Sequence, residues 1–598
     1  MKKITYKMII AITIIFVMPN SACKKSFLDK EPQGSTNETT LATKAGVNGL
    51  LNGAYNYLGN GWLFNADFLF AEIPTDDANF GSYGSASLGM ECFTFDASST
   101  FFAGKWPVLY YGVQRANDVI RVLAKVPEGA MTADETLQVK AEATLLRAYY
   151  HLQLAMIYEH VPYVDETVSF ENGNYNVTNT DPIWPKIEAD FQFAADNLSP
   201  TKPDAGRANG WAAKSFLAKM YMFEHEYAKA QTLLADIIAN GETANGKPYG
   251  LCDKYEDNFD PATRNNQESV FAIQCSVHDG AGGDNGNSKN GLAYTGPYGG
   301  PIATYGWLQP AQSLANSYKT DEVTGLPLIY TWNDNNIKSD LLVLSDEPFT
   351  PETGTLDPRI DWTMGRRGIP FLDWGIHPGN NWVPSQIVSG PYCMIKSVAP
   401  QSEPDATEGY SKAINEVVIR FADVLLWAAE VEVEIGSLSK AEMYVNLIRA
   451  RAANPAGFVH TYVDPNDPLK GFTNIPAANY KIGLYNGEFT AKGQAYARDA
   501  VRFERKIETA LENRRWFDLQ RWDHKAGEPA SGYMADVINA SLDHEINHVP
   551  GFLFEGRDQY LSGHKFVKGK NEIFPIPQGE IDASTTKDGP TLTQNPGY

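Results

Sequence analysis

Through both ends of this chain, apolar residues return every three or four positions, the spacing that lines one face of an α-helix. The pattern runs from Leu41 to Tyr57 and again from Trp106 to Val126. Thr132 followed by Glu135 has the form of a capping box, in which the hydroxyl and the carboxylate each take one unpaired backbone N–H at a helix start. The helix it opens is predicted to reach about Tyr158, with Leu145, Tyr149, Leu152 and Met156 on one stripe.

The segment Gly206 to Asn240 adds a repeat. Leu217, Ala218 and Tyr221 fall on a first helix and Ala230 and Leu234 on a second, at tetratricopeptide spacing. The small alanines let two helices approach closely while the tyrosine fills the groove beside them. A second copy lies in Asp423 to Ala453, with Ala428 and Ala429, then Ala441, Val445 and Ile448. Weaker helix pairs fit Trp106 to His160 and Ala495 to Arg521. Four such pairs, two of them in register, predict a mainly α fold: a tetratricopeptide-like platform of helical pairs.

Between Gly241 and Ala413 the helical period vanishes, and Gly, Pro, Asn, Asp and aromatic residues take over, as in Asp279–Asp284 and Gly296–Pro301. A structureless stretch of that length is rare in a compact domain unless it has a function. Loops carried on a rigid scaffold are where binding usually resides. The predicted layout is a platform over about 44–240 and 414–525, a loop-rich ligand-binding insertion over about 241–413, and an extended tail over 526–598, together one domain from 44 to 598.

The N-terminus addresses the chain to a compartment. Lys2, Lys3 and Lys7 precede an apolar run from Met8 to Met18 broken only by Thr13, too short for the roughly 20 residues of a spanning helix. Ser21, Ala22 and Cys23 follow. The reading is a signal peptide over 1–22, lipidation at Cys23 and a polar tether over 23–43, with acyl chains anchoring the protein to a membrane. Asn20 stands where a lipobox prefers leucine, so the competing reading is an ordinary secretory signal cleaved near Ala22.

Composition narrows the ligand. Lys plus Arg total 50 against 72 Asp plus Glu, a net charge of −22, which repels nucleic acid and anionic lipid. Cys92, Cys252, Cys275 and Cys393 fit no zinc spacing and are too few for a disulfide framework. One bridge, such as Cys252 to Cys275, remains open.

Several blocks, in order along the chain, then carry a resemblance. They are Cys23–Pro32, Leu146–Tyr150 leading to Val161-Pro-Tyr163, Ile419–Leu426 with Ala429-Glu430, Phe503–Glu508, Arg515–Trp522, Phe574-Pro-Ile-Pro577 with Glu580-Ile581, and Gln594–Tyr598. Together the sequence resembles the SusD/RagB family of nutrient-binding outer-membrane lipoproteins of Bacteroidetes. The resemblance implies a cell-surface binding protein that works with a SusC-like TonB-dependent transporter, takes nutrient oligomers such as glycans, and has no catalytic residues and no cofactor. It also implies that ligand binds the insertion loops rather than the helices.

A sugar site needs flat aromatic faces for pyranose C–H surfaces and Asp, Asn or Arg for vicinal hydroxyls. Asp76 and Asp77 adjoin Phe80 and Tyr83 in a Gly/Ser-rich loop, and Tyr298 and Trp307 stand among glycines in the insertion. These six are the candidate ligand residues. Trp332, Trp374 and Trp382 are reserves, and Trp362, after Asp357-Pro-Arg359, is expected in the core. The alternating charges Arg502, Glu504, Arg505, Glu508, Glu512, Arg514, Arg515 and Asp518 read as an ion-pair network locking the last platform helix.

Two other functions compete. The same fold could take a peptide. His544-Glu-Ile-Asn-His548 matches H-E-x-x-H, the zinc-peptidase pattern of two histidines one helical turn apart beside a glutamate base. Its context argues against it: Pro550 and Gly551 end the helix, and the position of a third histidine is Phe554. No metal site is expected there. Adjacent Asp76 and Asp77 would point to opposite faces of an extended chain, whereas glycoside hydrolysis needs two carboxyls facing one bond.

Overall fold

The computed structural model describes residues 38–61, 67–81, 85–169, 171–276, 300, 306–403, 413–549 and 562–598. Cys23, Tyr83 and Tyr298 therefore lie outside the described residues.

The longer helices are α1 (Lys44–Asn56), α2 (Thr100–Leu123), α3 (Ala133–Tyr158), α4 (Trp184–Asn197), α5 (Gly210–Phe223), α6 (Tyr227–Asn240), α7 (Phe421–Ile435), α8 (Leu438–Ala452), α9 (Gln494–Thr509), α10 (Arg515–Asp523) and α11 (Tyr533–His548). Each from α1 to α8 packs on the next. The array includes α6 against α7, although the whole insertion separates them in sequence. The insertion is thus an excursion from an uninterrupted stack of helical pairs.

Local chemistry explains these elements. The capping box at the start of α3 is formed: Thr132 Oγ1 accepts from Glu135 N at 3.1 Å and Glu135 Oε2 accepts from Thr132 N at 3.0 Å. Ala218, Ala230, Ala441, Val445 and Ile448 are all fully buried. Where α2 crosses α3, a Cβ on Gly112 would lie 2.4 Å from the Tyr150 ring, so only glycine permits that approach. Helix α2 starts six residues before the predicted Trp106 and carries Pro107 within it.

The strands that bear on the site are β1 (Ala78–Phe80), β2 (Ser269–Ile273), β3 (Leu308–Pro310), β4 (Met364–Gly365), β5 (Cys393–Met394), β6 (Glu416–Arg420), β7 (His460–Tyr462) and β8 (Phe472–Pro476). They form two-stranded antiparallel ladders, β1 with β3, β2 with β6, β4 with β5 and β7 with β8. Pairing of β2 with β6, in the register Phe271 to Ile419, joins the early part of the insertion to the strand that follows it. One hydrophobic cluster extends from Ala42 to Leu592.

The charged block forms a buried network that holds pairs of its own, Arg505 with Asp518 at 2.6 Å and Arg521 with Asp518 at 2.9 Å, but most of its partners come from distant parts of the chain. Arg420 reaches Glu268 at 2.8 Å, Glu508 at 2.6 Å and Glu512 at 2.9 Å. Arg359 reaches Asp357 and Glu508 at 2.7 Å and Glu504 at 2.8 Å, and Arg449 also holds Glu504 at 2.8 Å. Burial alone would raise the Glu508 carboxyl, yet Arg451, Arg420 and Arg359 hold it well below the usual carboxylate range.

Three expectations are corrected. The four cysteines are separate buried thiols, so no Cys252–Cys275 bridge forms. The tail from 526 is not extended throughout, because α11 occupies Tyr533–His548. Met534, Ala535, Ile538, Ser541 and His544 recur at helical spacing and are buried; the histidine and serine among them obscure the apolar stripe. Finally, α9 packs on α7 and α8 rather than chiefly pairing with α10.

Candidate functional site

The N-terminal loop and the insertion meet on the β1–β3 ribbon. Its register sets Ala78 opposite Pro310, Asn79 opposite Gln309 and Phe80 opposite Leu308. The pairing continues at both ends, with Ala311 N donating to Asp77 O at 2.9 Å and Gly81 N donating to Trp307 O at 2.8 Å. A Cβ on Gly81 would fall 1.7 Å from Gly306 O. The chains can cross there only because residue 81 has no side chain. The crossing brings the Phe80 and Trp307 rings to 5.8 Å between centroids, tilted by 49°. Phe80 is buried and Trp307 half-buried. One ring from each of the two aromatic stretches of the sequence, Phe80 and Trp307, therefore meets at this crossing.

The ribbon does not present the two aspartates with the rings. Asp76 and Asp77 are buried. Arg515 takes Asp76 with two hydrogen bonds, at 2.7 and 2.9 Å, and Lys506 Nζ lies 2.8 Å from Asp76 and also bonds Asp77. Burial would raise the Asp76 carboxyl, but Arg515 and Lys506 hold it well below its ordinary value. Asp77 is raised by burial, with Asp76 beside it adding to the effect. These carboxylates anchor the loop to α9 and α10 and are not open to a glycan. Phe80 is corrected likewise: its ring backs Trp307 from the core side. A signal for the aspartates existed, since the block 502–521 holds six cations against four carboxylates and so needed acids from elsewhere.

The other tryptophans are distributed around the insertion. Trp332 is half-buried, edge-on to Phe503 at 6.1 Å, with Lys506 Nζ 5.5 Å above its ring. Trp374 donates Nε1–H to Ala399 O at 2.9 Å, and Trp382 packs edge-on against Phe371 at 5.4 Å. Trp362, expected in the core, is only half-buried and donates to Gly457 O at 2.7 Å.

His544, Glu545 and His548 do sit on one helix, α11, with the imidazoles stacked at 5.6 Å. Glu545 Oε1 accepts from Ser313 N at 3.1 Å, so the glutamate fastens the short helix Gln312–Ser317 that follows β3. Burial, then the neighbouring His548, pushes His544 down to about 4. Among the described residues no three His, Cys, Asp or Glu side chains converge as a metal would require. Nor, among the described residues, is any helix long and apolar enough to cross a membrane.

Comparison with known proteins decides the relationship. The SusD family model matches residues 267–598, more than half of the chain, and a second, described as starch-binding associating with outer membrane, matches residues 26–222. The chain belongs to the SusD family. A SusD-like protein of Bacteroides ovatus is 27% identical over 596 residues, covering 94% of this chain and 93% of that one. SusD-like protein P25 of Formosa agariphila is 24% identical, covering 88% and 90%. Among solved structures, a SusD superfamily protein from Bacteroides vulgatus superposes with TM-score 0.64 at 20% identity, covering 94% of this chain and 99% of that one. A laminarin-binding SusD-like protein gives 0.61 at 21% identity, covering 93% and 100%. Surface glycan-binding protein A from Bacteroides thetaiotaomicron, in complex with laminarihexaose, gives 0.60 at 19% identity, covering 92% and 99%. These structures share the SusD fold with this chain.

Proposed function

We propose that this SusD-family protein captures oligosaccharide at the cell surface and delivers it to a SusC-like TonB-dependent transporter, without cleaving it. It acts as one domain, tethered to the outer membrane by lipid on Cys23. The observation that carries the reading is the convergence of Phe80 and Trp307 at the crossing of β1 and β3. There a partly buried indole is backed by a buried ring on the β1–β3 ladder. An indole face held in place suits the apolar face of a pyranose and loses little side-chain entropy on binding. Laminarin binding by one relative in fold and laminarihexaose in another support a glycan as the ligand class.

Tyr83 and Tyr298, which lie outside the described residues, stay candidate ligand residues on their sequence alone. The test is calorimetric titration of the mature chain and its Trp307→Ala variant with neutral oligosaccharides. Weakened binding at an unchanged thermal midpoint supports the site. Affinity for peptides and none for any glycan would replace this reading with the peptide one. For the anchor, Cys23→Ser should move the protein out of the membrane fraction, and retention there would refute lipidation at this position.

A further inference from the structure

A separate cleft of about 270 Å³ opens between the turn around Glu256–Asn258, the strand β8 and the segment that follows β5. It shares no lining residue with the Phe80–Trp307 edge. Three aromatic side chains from different parts of the chain line it: Phe259, Trp362 and Phe472. Phe472 is 45% exposed, and its ring lies 5.1 Å from Tyr462.

The walls are fixed from several sides. Trp362 is held by Gly457 O, and the Tyr462 hydroxyl donates to Leu372 O at 2.7 Å, tying the β7–β8 hairpin to the opposite wall. Lys396 Nζ lies 4.7 Å above the Phe259 ring and is held from beneath by Ala510 O at 2.7 Å and Glu512 at 2.8 Å. Asp373 accepts from the backbone of Gln401 at 2.5 Å and of Ser402 at 2.9 Å. The cleft is therefore preformed rather than a gap between mobile loops.

Its polar groups are mainly acidic. Glu256, Asp257, Asp260 and Asp373 line it against Lys254 and Lys396, and Lys396 is already paired with Glu512. One Glu256 oxygen is buried with no protein hydrogen-bond partner. Burial pushes the Glu256 carboxyl up to about 7. Acceptors beside flat rings suit a hydroxyl-rich ring with an apolar face, and the surplus of carboxylates repels anions. The volume falls just under the roughly 300 Å³ at which small-molecule pockets begin, room for a short saccharide segment.

We propose that this cleft is a second saccharide subsite, built for a neutral pyranose segment and closed to uronate or sulfated sugars. It rests on the glycan reading of the Trp307 edge but uses different residues, so the two can fail separately. The mature full-length chain is titrated calorimetrically with laminarihexaose, maltohexaose and xylohexaose, and with an oligogalacturonate as the anionic probe. Phe472→Ala, Asp257→Asn and Trp307→Ala are measured in parallel. The parent should bind a neutral hexasaccharide at two sites. Phe472→Ala and Asp257→Asn should each weaken one of them by roughly two- to tenfold, the range expected for one ring or one polar contact, while Trp307→Ala weakens the other.

Asp257→Asn changes no packed ring, so the question remains decidable even if Phe472→Ala perturbs the hairpin. Unchanged binding in both cleft variants, with loss only in Trp307→Ala, overturns the second subsite and leaves the glycan reading intact. Preferred binding of the oligogalacturonate overturns the neutral class. A parent that binds none of these probes removes both proposals.

Discussion

Arg515 grips Asp76 through two parallel hydrogen bonds of 2.7 and 2.9 Å, both side chains buried. The pair joins the first turn of α10 to the loop leading into β1, and so holds one strand of the Phe80–Trp307 crossing against the helical array. Removing Arg515 leaves the buried Asp76 carboxylate to Lys506, and breaking a buried ion pair typically costs about 3 to 5 kcal/mol, an upper bound where a second cation stays. Arg515→Ala is therefore expected to lower unfolding free energy by up to that amount, measured by denaturant titration. Asp76→Asn should also destabilise the protein. If instead Asp76→Asn keeps its stability and loses glycan affinity, the aspartate faces ligand after all.

The α2–α3 crossing gives a second expectation. A Cβ at Gly112 would lie 2.4 to 2.5 Å from three atoms of the Tyr150 ring. Tyr150 is fully buried and its hydroxyl donates to Ala54 O at 3.3 Å, so the ring has no free direction in which to retreat. Overpacking of this kind costs about 1 to 3 kcal/mol. Gly112→Ala should be destabilised within that range, although alanine is the better helix former at an exposed site. Pairing it with Tyr150→Leu should recover part of the loss. A Gly112→Ala variant as stable as the parent would mean that the two helices can separate at no cost.

The pH dependence of stability should carry a mark of His524. Burial would lower this imidazole, but Asp523 at 3.2 Å and Glu159 at 3.9 Å raise it to about 9. A group raised in the folded state contributes its stability in full below its unfolded value, about 6.5. That contribution, on the order of 3 kcal/mol, is lost as pH rises through about 9. The parent should therefore lose stability between about pH 6.5 and 9, and His524→Gln should flatten that slope. An identical slope in the variant would assign the loss to another group.

What the sequence disclosed follows from the range of the interactions. Helices α3, α5, α6, α7 and α8 were legible because their apolar period, small crossing residues and the Thr132–Glu135 cap are local signals. The ladders of the insertion were not, since strands of two to five residues carry almost no period and are specified by pairing across long distances. Asp76 and Asp77 resembled a polar loop because their cations lie in the block that begins more than four hundred positions later. The neighbours Asp357 and Arg359 point Trp362 toward the core. They are indeed buried, but the indole turns toward the cleft beside them.

The last expectation concerns the H-E-x-x-H stretch, where helix and spacing are both right for zinc. Peptidase chemistry needs the glutamate free to activate water and both imidazoles open to the metal. Here Glu545 accepts from Ser313 N at 3.1 Å, and His544 is only 7% exposed. We expect purified protein to hold no stoichiometric zinc after mild dialysis, and His544→Ala to leave its metal content unchanged. The same histidine should act on stability. Because burial pushes it down to about 4, its contribution is complete above about 6.5 and is lost as pH falls toward 4. His544→Phe, which removes the titration and keeps the volume, should be less sensitive to acid than the parent over that interval. Zinc bound one to one and lost in His544→Ala would overturn this account and make α11 a metal-binding helix.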